Sequence, residues 1–313
     1  MGELASVIFT AEFLGNSLRF ATPLILAAMG GVVNERTGVL NLGIDGMMLI
    51  GAFAAFAGSY FTGNPWMGVL IAVISCMLLG LLHAFTTITL VMNQVVVAVA
   101  INTFSMGLAS SLLRTLFGTS TNALRSPGFS EIGWPQALKD LPFFGPVFFQ
   151  QTIFVYIAIL SVPVIWWVFY KTTWGLKIRA VGEYPKAAET MGVNVAKVRY
   201  LALLFAGAMG GLSGAALSIT GLNTFIDNMT AGRGFIAFAC IIFGRFHPLG
   251  AGLGALMFGL AQGLQLRIQT VGIPVAYQIP IMFPYILTLV LLVVMGSGAV
   301  PAAWGVPYYP DEE

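Results

Sequence analysis

A soluble chain of 313 residues would fold as about two domains. Here hydrophobic residues make up 58% and charged residues only 8%, against about 25% charged in an ordinary globular domain, so the composition is that of a membrane protein. Two cysteines and two histidines are too few for a closed structural zinc site or a disulfide framework, and a net charge of +2 does not describe a nucleic-acid surface.

The chain opens Met1-Gly2-Glu3 without the basic stretch of a secretory signal peptide. Residues 1–6 fit the myristoylation pattern, which is short and read by a eukaryotic enzyme, so we take the match as chance. A crossing helix needs about 20 mostly apolar residues, and gaps between charges mark where such helices fit. The first covers residues 14–33. No Asp, Glu, Lys or Arg lies between Asp45 and Arg114, a stretch that Asn64-Pro65 and Asn93-Gln94 divide into spans near 47–61, which is short, 66–92 and 95–113. Further uncharged windows cover 141–170, 200–226, 234–244, 246–266 and 268–310. The expected fold is therefore all-α: a polytopic transmembrane helical bundle of about 8–10 segments in a single domain, 1–313. Some segments are broken or re-entrant, because Gly43, Gly46, Gly232 and Gly234 bracket stretches too brief to cross alone.

Basic residues in short loops stay in the cytoplasm. Residues 171–199 hold Lys171, Lys177, Arg179, Lys186, Lys197 and Arg199 against Glu183 and Glu189, which predicts a cytoplasmic loop. Residues 118–150 balance Arg125 and Lys139 with Glu131 and Asp140, which fits an extracellular cap. Alternation places residues 34–39, 245–247 and 311–313 inside. Ala28-Met29-Gly30-Gly31 recurs as Ala208-Met209-Gly210-Gly211, and Thr37-Gly38 as Thr220-Gly221, the pattern of an internal repeat with breaks at equivalent places. Small pairs such as Gly210 with Gly214 and Gly259 with Gly263 predict close helix packing.

No phosphate-cradling Gly-x-x-x-x-Gly-Lys sequence occurs, so ATP must be hydrolysed elsewhere. His83 and His247 have no carboxylate or nucleophile at catalytic spacing, and no enzyme, metal or cofactor role is expected. Two segments are too polar for their surroundings. In 34–48, Asn41 and Asp45 are four apart and are expected to share one helical face. They either cap a re-entrant helix or line a pathway. In 171–199 an extended entry leads to Pro185, a short Ala-rich helix and a stop at Gly192. That helix either docks into a partner's cleft or merely connects.

Lys186-Ala187-Ala188, three residues, then Gly192-Val193 resembles the EAA-type coupling loop of ABC importer permeases, with Lys186 where Glu is common. The resemblance implies that Pro185, Lys186, Ala187, Ala188 and Gly192 couple to an ATPase. Asn34-Glu35-Arg36-x-Gly38-x-x-Asn41-x-Gly43-x-Asp45-Gly46-Met47-Met48 resembles the opening motif of the permease superfamily serving ribose, branched-chain amino acids and nucleosides, with Asp45 where Glu is frequent. The likeness continues through Gly232-Arg233-Gly234-Phe235 and Phe243-Gly244-Arg245-Phe246-His247-Pro248. It is closest to the shorter permease of nucleoside importers that use basic-membrane-protein-type lipoproteins. It implies a permease subunit of the bacterial plasma (inner) membrane, paired with a second, larger permease, a separate ABC-type ATPase and an external substrate-binding lipoprotein. Branched-chain amino acids or sugars are alternative substrates. An ion-coupled secondary transporter using Asp45, Asp227 and Arg233 is the alternative class.

For a neutral nucleoside, amides that donate and accept are suitable contacts. The expected path is therefore Asn41, Asp45, Asn93, Asn102, Asn223, Asp227 and Arg233, beside Gln94, with Phe104 or Phe225 as stacking faces. The alternative is that these groups cap broken helices and that Arg233 neutralises Asp227 across Gly232.

Overall fold

The computed structural model describes residues 10–118, 124–271, 278–295 and 300–309. The myristoylation match at 1–6 and the acidic residues 311–313 lie outside them. Helix α1 (Ala11–Glu35) starts where Thr10 accepts the Phe13 N–H. Helix α2 (Ile44–Thr62) ends at Gly63, whose positive φ of 68° reverses the chain, and α3 (Pro65–Ala84) begins with Asn64 as cap and Pro65 in the first turn. A π-helical turn, Phe85–Thr89, follows. Asn93 caps α4 (Gln94–Phe117). The loop beyond it holds α5 (Gln136–Lys139) and a second π turn, Gly145–Phe149. Then come α6 (Ile153–Lys171), α7 (Thr173–Glu183), α8 (Pro185–Thr190), α9 (Val195–Leu217) with a π turn at Ser218–Leu222, α10 (Arg233–Phe243), α11 (Pro248–Val271) and α12 (Gln278–Met295).

Among the described residues, seven helices are long and apolar enough to cross a membrane, and α10 is a shorter apolar helix. With the 18-residue α12 they account for the about nine segments expected from hydrophobic length. Three boundaries differ. Helix α2 starts at Ile44 rather than near 47 and has 19 residues, so it is not short; the charge of Asp45 hid its first turn. Helix α6 starts at Ile153, because the apolar residues before it are spent on a π turn and a loop. The entry to α8 is not extended: α7 is helical over 11 residues, with the Thr172 hydroxyl accepting the Gly175 N–H at 3.3 Å.

The bundle core is built from two similar units of opposite direction. In the first, α1 leads through a break at 36–43 into α2, which packs on α3; in the second, α9 leads through 223–232 into α10, which packs on α11. Exchanging the units preserves the main contacts, since α3 packs on α9 as α11 packs on α1, and α1 packs on α9. The Ser213 hydroxyl donates to Pro23 O at 2.6 Å while Gly30 lies on Ala206 and Met209, so α1 and α9 run antiparallel. Gly214 against Met48 and Gly51, and Gly259 against Ser17 and Ala21, let these backbones touch, as the small-residue spacing predicts.

Polar groups gather at the two ends. At one end Arg36 donates to Phe246 O at 2.8 Å, lies 3.9 Å from Glu183, and the 36–43 break meets α7, the 244–247 turn and residues 300–309. At the other, Arg19 binds Glu131 at 2.7 Å and Gln151 at 3.0 Å, and the 124–150 loop joins the end of α9 through Ser126 N–H to Asn223 O at 2.9 Å. Trp134, Phe143, Phe144 and Phe148 are exposed on that loop, the amphipathic content of a membrane interface. We name these the α8 end and the cap end.

Candidate functional site

The breaks in the two units meet. Asp45, in the first turn of α2, accepts the Gly234 N–H at 2.9 Å and the Thr230 hydroxyl at 3.2 Å, so a side chain of one broken helix caps the N-terminus of the other. A carboxylate there interacts with the helix dipole by up to about 2 kcal/mol when partly buried. Close approach explains Gly234: a Cβ at that position would run into the Asp45 backbone. The 223–232 connection is unusually bent, with positive φ at Asn223, Asn228 and Ala231 as well as at Gly232.

The remaining polar groups of the first break hold its backbone. Asn41 is fully buried and its Oδ1 accepts the Gly43 N–H at 2.9 Å. Gln94 Oε1 accepts the Leu40 N–H at 2.6 Å. Asn102 takes the Gly46 N–H at 2.8 Å and donates to Leu42 O at 2.9 Å. These bonds show where several of the expected residues sit. Asn41 does not share a helical face with Asp45, because it precedes α2 in the turn. Asn93 is an exposed cap for the N–H groups of Val95 and Val96, beside Gln94 at the α8 end. Phe225 is buried edge-on against Phe53 at 5.4 Å, and Phe104 is exposed on α4. Arg233 donates to Met229 O at 2.7 Å, and among the described residues no ion pair joins it to Asp227. Removing the Asn102 amide leaves a buried donor and acceptor unpaired, which costs about 2–3 kcal/mol. Asn102→Leu is therefore expected to lower the thermal midpoint in detergent. A normal midpoint with reduced flux would instead assign Asn102 to the path.

Above this junction, toward the cap end, lies a cavity of about 540 Å³ between α1, α6, α9 and the 223–232 connection, lined by Asp227, Asn228, Arg233, Arg19 and Thr220. Asp227 is exposed to it and accepts the Ser110 hydroxyl of α4 at 2.8 Å. A second hollow of about 300 Å³ shares Arg233, Phe20, Ala231 and Leu266 and adds Gln262, Gln265 and Gln269 of α11. The combined size is in the range of small-molecule sites. The three glutamines are absent from the expected path. Their signal was readable, since spacings of three and four put amides on one face of an otherwise apolar helix. Asn223 sits beside the cavity rather than in its lining; its side chain lies against Gly128.

At the α8 end, Pro185 starts α8 and Gly192, with φ of 80°, ends it, its N–H reaching Glu189 O at 2.8 Å. Lys186 and Ala187 are exposed, as are Tyr184 at 71% and Met191 at 83%. Ala188 is 5% exposed and packs into the core, so it does not belong to the outer surface with Ala187. Of the histidines, His247 lies in the 244–247 turn beside Tyr170, where burial and then Arg36 hold it below the usual histidine range. His83 is fully buried on α3, with neither ring nitrogen hydrogen-bonded within the described residues.

The family described as "Branched-chain amino acid transport system / permease component" matches residues 13–300. The guanosine ABC transporter permease protein NupQ of Bacillus subtilis is 38% identical over 98% of this chain and 97% of its own length. The nucleoside ABC transporter permease protein NupC of Lactococcus lactis is 34% identical over 97% and 98%. TsgC13 of Haloferax volcanii, whose name carries a provisional assignment to a glucose ABC transporter, is 40% identical over 85% and 80%. Among solved structures, a transporter described provisionally as an ABC transporter of metal-chelate type, in an inward-facing conformation, superposes with a TM-score of 0.51 at 17% identity, over 88% of this chain and 85% of that one. At that identity the likeness shows the fold alone.

Proposed function

The chain belongs to the family of branched-chain amino acid transport system permease components, and we propose on that premise that it passes nucleosides, with the cavity above the α2–α10 junction as the cap-side part of the path. It is a multi-pass membrane transport subunit and not itself an enzyme. The observation that carries the nucleoside reading is the amide-lined cavity, with Asn228, Gln262 and Gln265 around Arg233, in a chain that aligns end to end with relatives named for guanosine and nucleosides. Ring nitrogens and hydroxyls of a neutral nucleoside need partners that both donate and accept, which amides provide. Sugars share the hydroxyls, and TsgC13 keeps that reading as the second. Family membership removes the ion-coupled alternative.

In this reading the α8 end faces the cytoplasm of a bacterial cell, where the six basic residues of 171–199 favour it, and the cap end faces outward in the plasma membrane. A separate ABC-type ATPase docks on α8 through Tyr184, Lys186, Ala187 and Met191. A second, larger permease completes the path, and an external binding lipoprotein delivers substrate. Uptake of labelled guanosine, glucose and leucine into vesicles carrying the assembled complex tests the substrate. ATP-dependent guanosine uptake is expected, and glucose or leucine uptake without guanosine uptake would replace the assignment.

A further inference from the structure

Residues 300–309 do not trail away from the bundle. They form a strap between α8 and the first break, held at both ends and in the middle. Near its end the Tyr308 hydroxyl donates to Glu189 of α8, while Tyr308 is 9% exposed and its ring faces the Arg199 guanidinium of α9 at 5.5 Å. In the middle the Gly305 N–H binds Gly38 O and the Ala303 N–H binds Gly182 O, both at 2.9 Å. Gly38 must be glycine, since its φ is 86° and a Cβ would meet Ala303 O.

Trp304 is the centre of the strap. Its indole N–H donates to Glu35 Oε2, and its ring stacks on Phe238 and meets Phe246 edge-on at 5.6 Å. Glu35 is fully buried. Its other oxygen accepts the Asn41 N–H at 2.8 Å and the Asn34 amide at 3.3 Å. One carboxylate thus ties the strap to the turn that sets the start of α2, and α2 carries Asp45 to α10. From α8 to the cavity the contacts are continuous: Glu189, Tyr308, Trp304, Glu35, Asn41, the first turn of α2, Asp45, Gly234, Arg233.

We propose that the 300–309 strap transmits movement of α8 to the α2–α10 junction, with Tyr308, Trp304 and Glu35 as its positioning residues. The inference rests on α8 being the ATPase-docking helix. Its physical ground is that the links between elements are directional hydrogen bonds, Tyr308 to Glu189, Trp304 to Glu35, the Asn41 N–H to Glu35 and the Gly234 N–H to Asp45, joined by short stretches of backbone. A displaced α8 therefore either pulls the strap with it or breaks bonds to a charged group.

Tyr308→Phe removes only the hydroxyl, whereas Trp304→Phe removes the indole N–H together with one of the two fused rings that pack on Phe238 and Phe246. The readout needs no substrate. Asn228→Cys places a thiol at the cavity, while the native Cys76 and Cys240 are fully buried, so a membrane-impermeant maleimide reports that position. In the assembled complex, a non-hydrolysable ATP analogue should change the labelling rate. Each strap variant is expected to reduce that response about tenfold, the effect of one lost hydrogen bond to a charged group. Basal ATP hydrolysis and ATPase co-purification should be unchanged, the thermal midpoint should hold in Tyr308→Phe and fall in Trp304→Phe, which unpairs the buried Glu35, and the double variant should respond no worse than either single one. An undiminished response in both single variants overturns the inference. So does a reduced response in Tyr308→Phe that falls in step with midpoint and co-purification, because a packing role acts in that way. The docking premise is read separately: if Ala187→Asp still co-purifies the ATPase with a normal response, the premise fails. If Ala187→Asp loses the ATPase while Trp304→Phe responds normally, only the strap fails.

Discussion

Ala187→Asp and Met191→Asp are expected to abolish substrate-stimulated ATP hydrolysis by the assembled complex while the permease inserts and folds normally. Both side chains are exposed, Met191 at 83% beside Tyr184 at 71%, so a carboxylate there stays in water and costs the free permease little. Large apolar side chains standing out at the end of a short helix are the usual anchors of an interface, and losing one costs about 2 kcal/mol or more of binding. That corresponds to at least about 30-fold weaker association of the ATPase, read as its loss on co-purification. Ala188→Asp tests something else. At 5% exposure it would bury an unpaired charge and destabilise the fold by several kcal/mol. Normal stimulated hydrolysis by Ala187→Asp with the ATPase bound would remove α8 as the docking element.

Asp45→Leu is expected to lose both stability and transport. The variant strips the acceptor from the Gly234 N–H and the Thr230 hydroxyl. Losing a charge-assisted bond and leaving its donor unpaired costs about 3 kcal/mol, and the start of α10 loses its capping anion. Asp45→Asn keeps one carbonyl acceptor and should fall between wild type and Asp45→Leu. Asp227→Asn, at the exposed cavity wall, should leave the thermal midpoint unchanged and alter only flux. Equal midpoints for Asp45→Leu and wild type, measured in detergent, would show that the junction contributes nothing to the fold.

Much of this architecture was legible from charge placement and length alone. The uncharged run from Asp45 to Arg114 required three crossings, and α2, α3 and α4 occupy it. The paired motifs at residues 28–31 and 208–211 marked the two units, because the same small residues are needed wherever helices of either unit press together. Proline and glycine marked α8, since only those backbones start and stop a helix so abruptly. The candidate site was half visible. Asp45, Asp227 and Arg233 stood out as charges inside apolar runs, whereas Gln262, Gln265 and Gln269 show only through their spacing of three and four along one face of α11.

The sequence by itself determined an all-α membrane bundle, where its breaks fall and the absence of an ATP-binding loop, since these follow from hydrophobic length, glycine placement and local motifs. Tertiary structure alone decided which neighbours each polar group meets. Asn41, Gln94 and Asn102 look the same in a sequence whether they face a substrate or a neighbouring peptide N–H, and only the folding of α4 beside the first break brings those N–H groups within reach. The pairing of Asp45 with α10, the inward turn of Ala188 and the bond from Trp304 to Glu35 join residues far apart in the chain. Their partners are chosen by how helices pack, which no local pattern encodes.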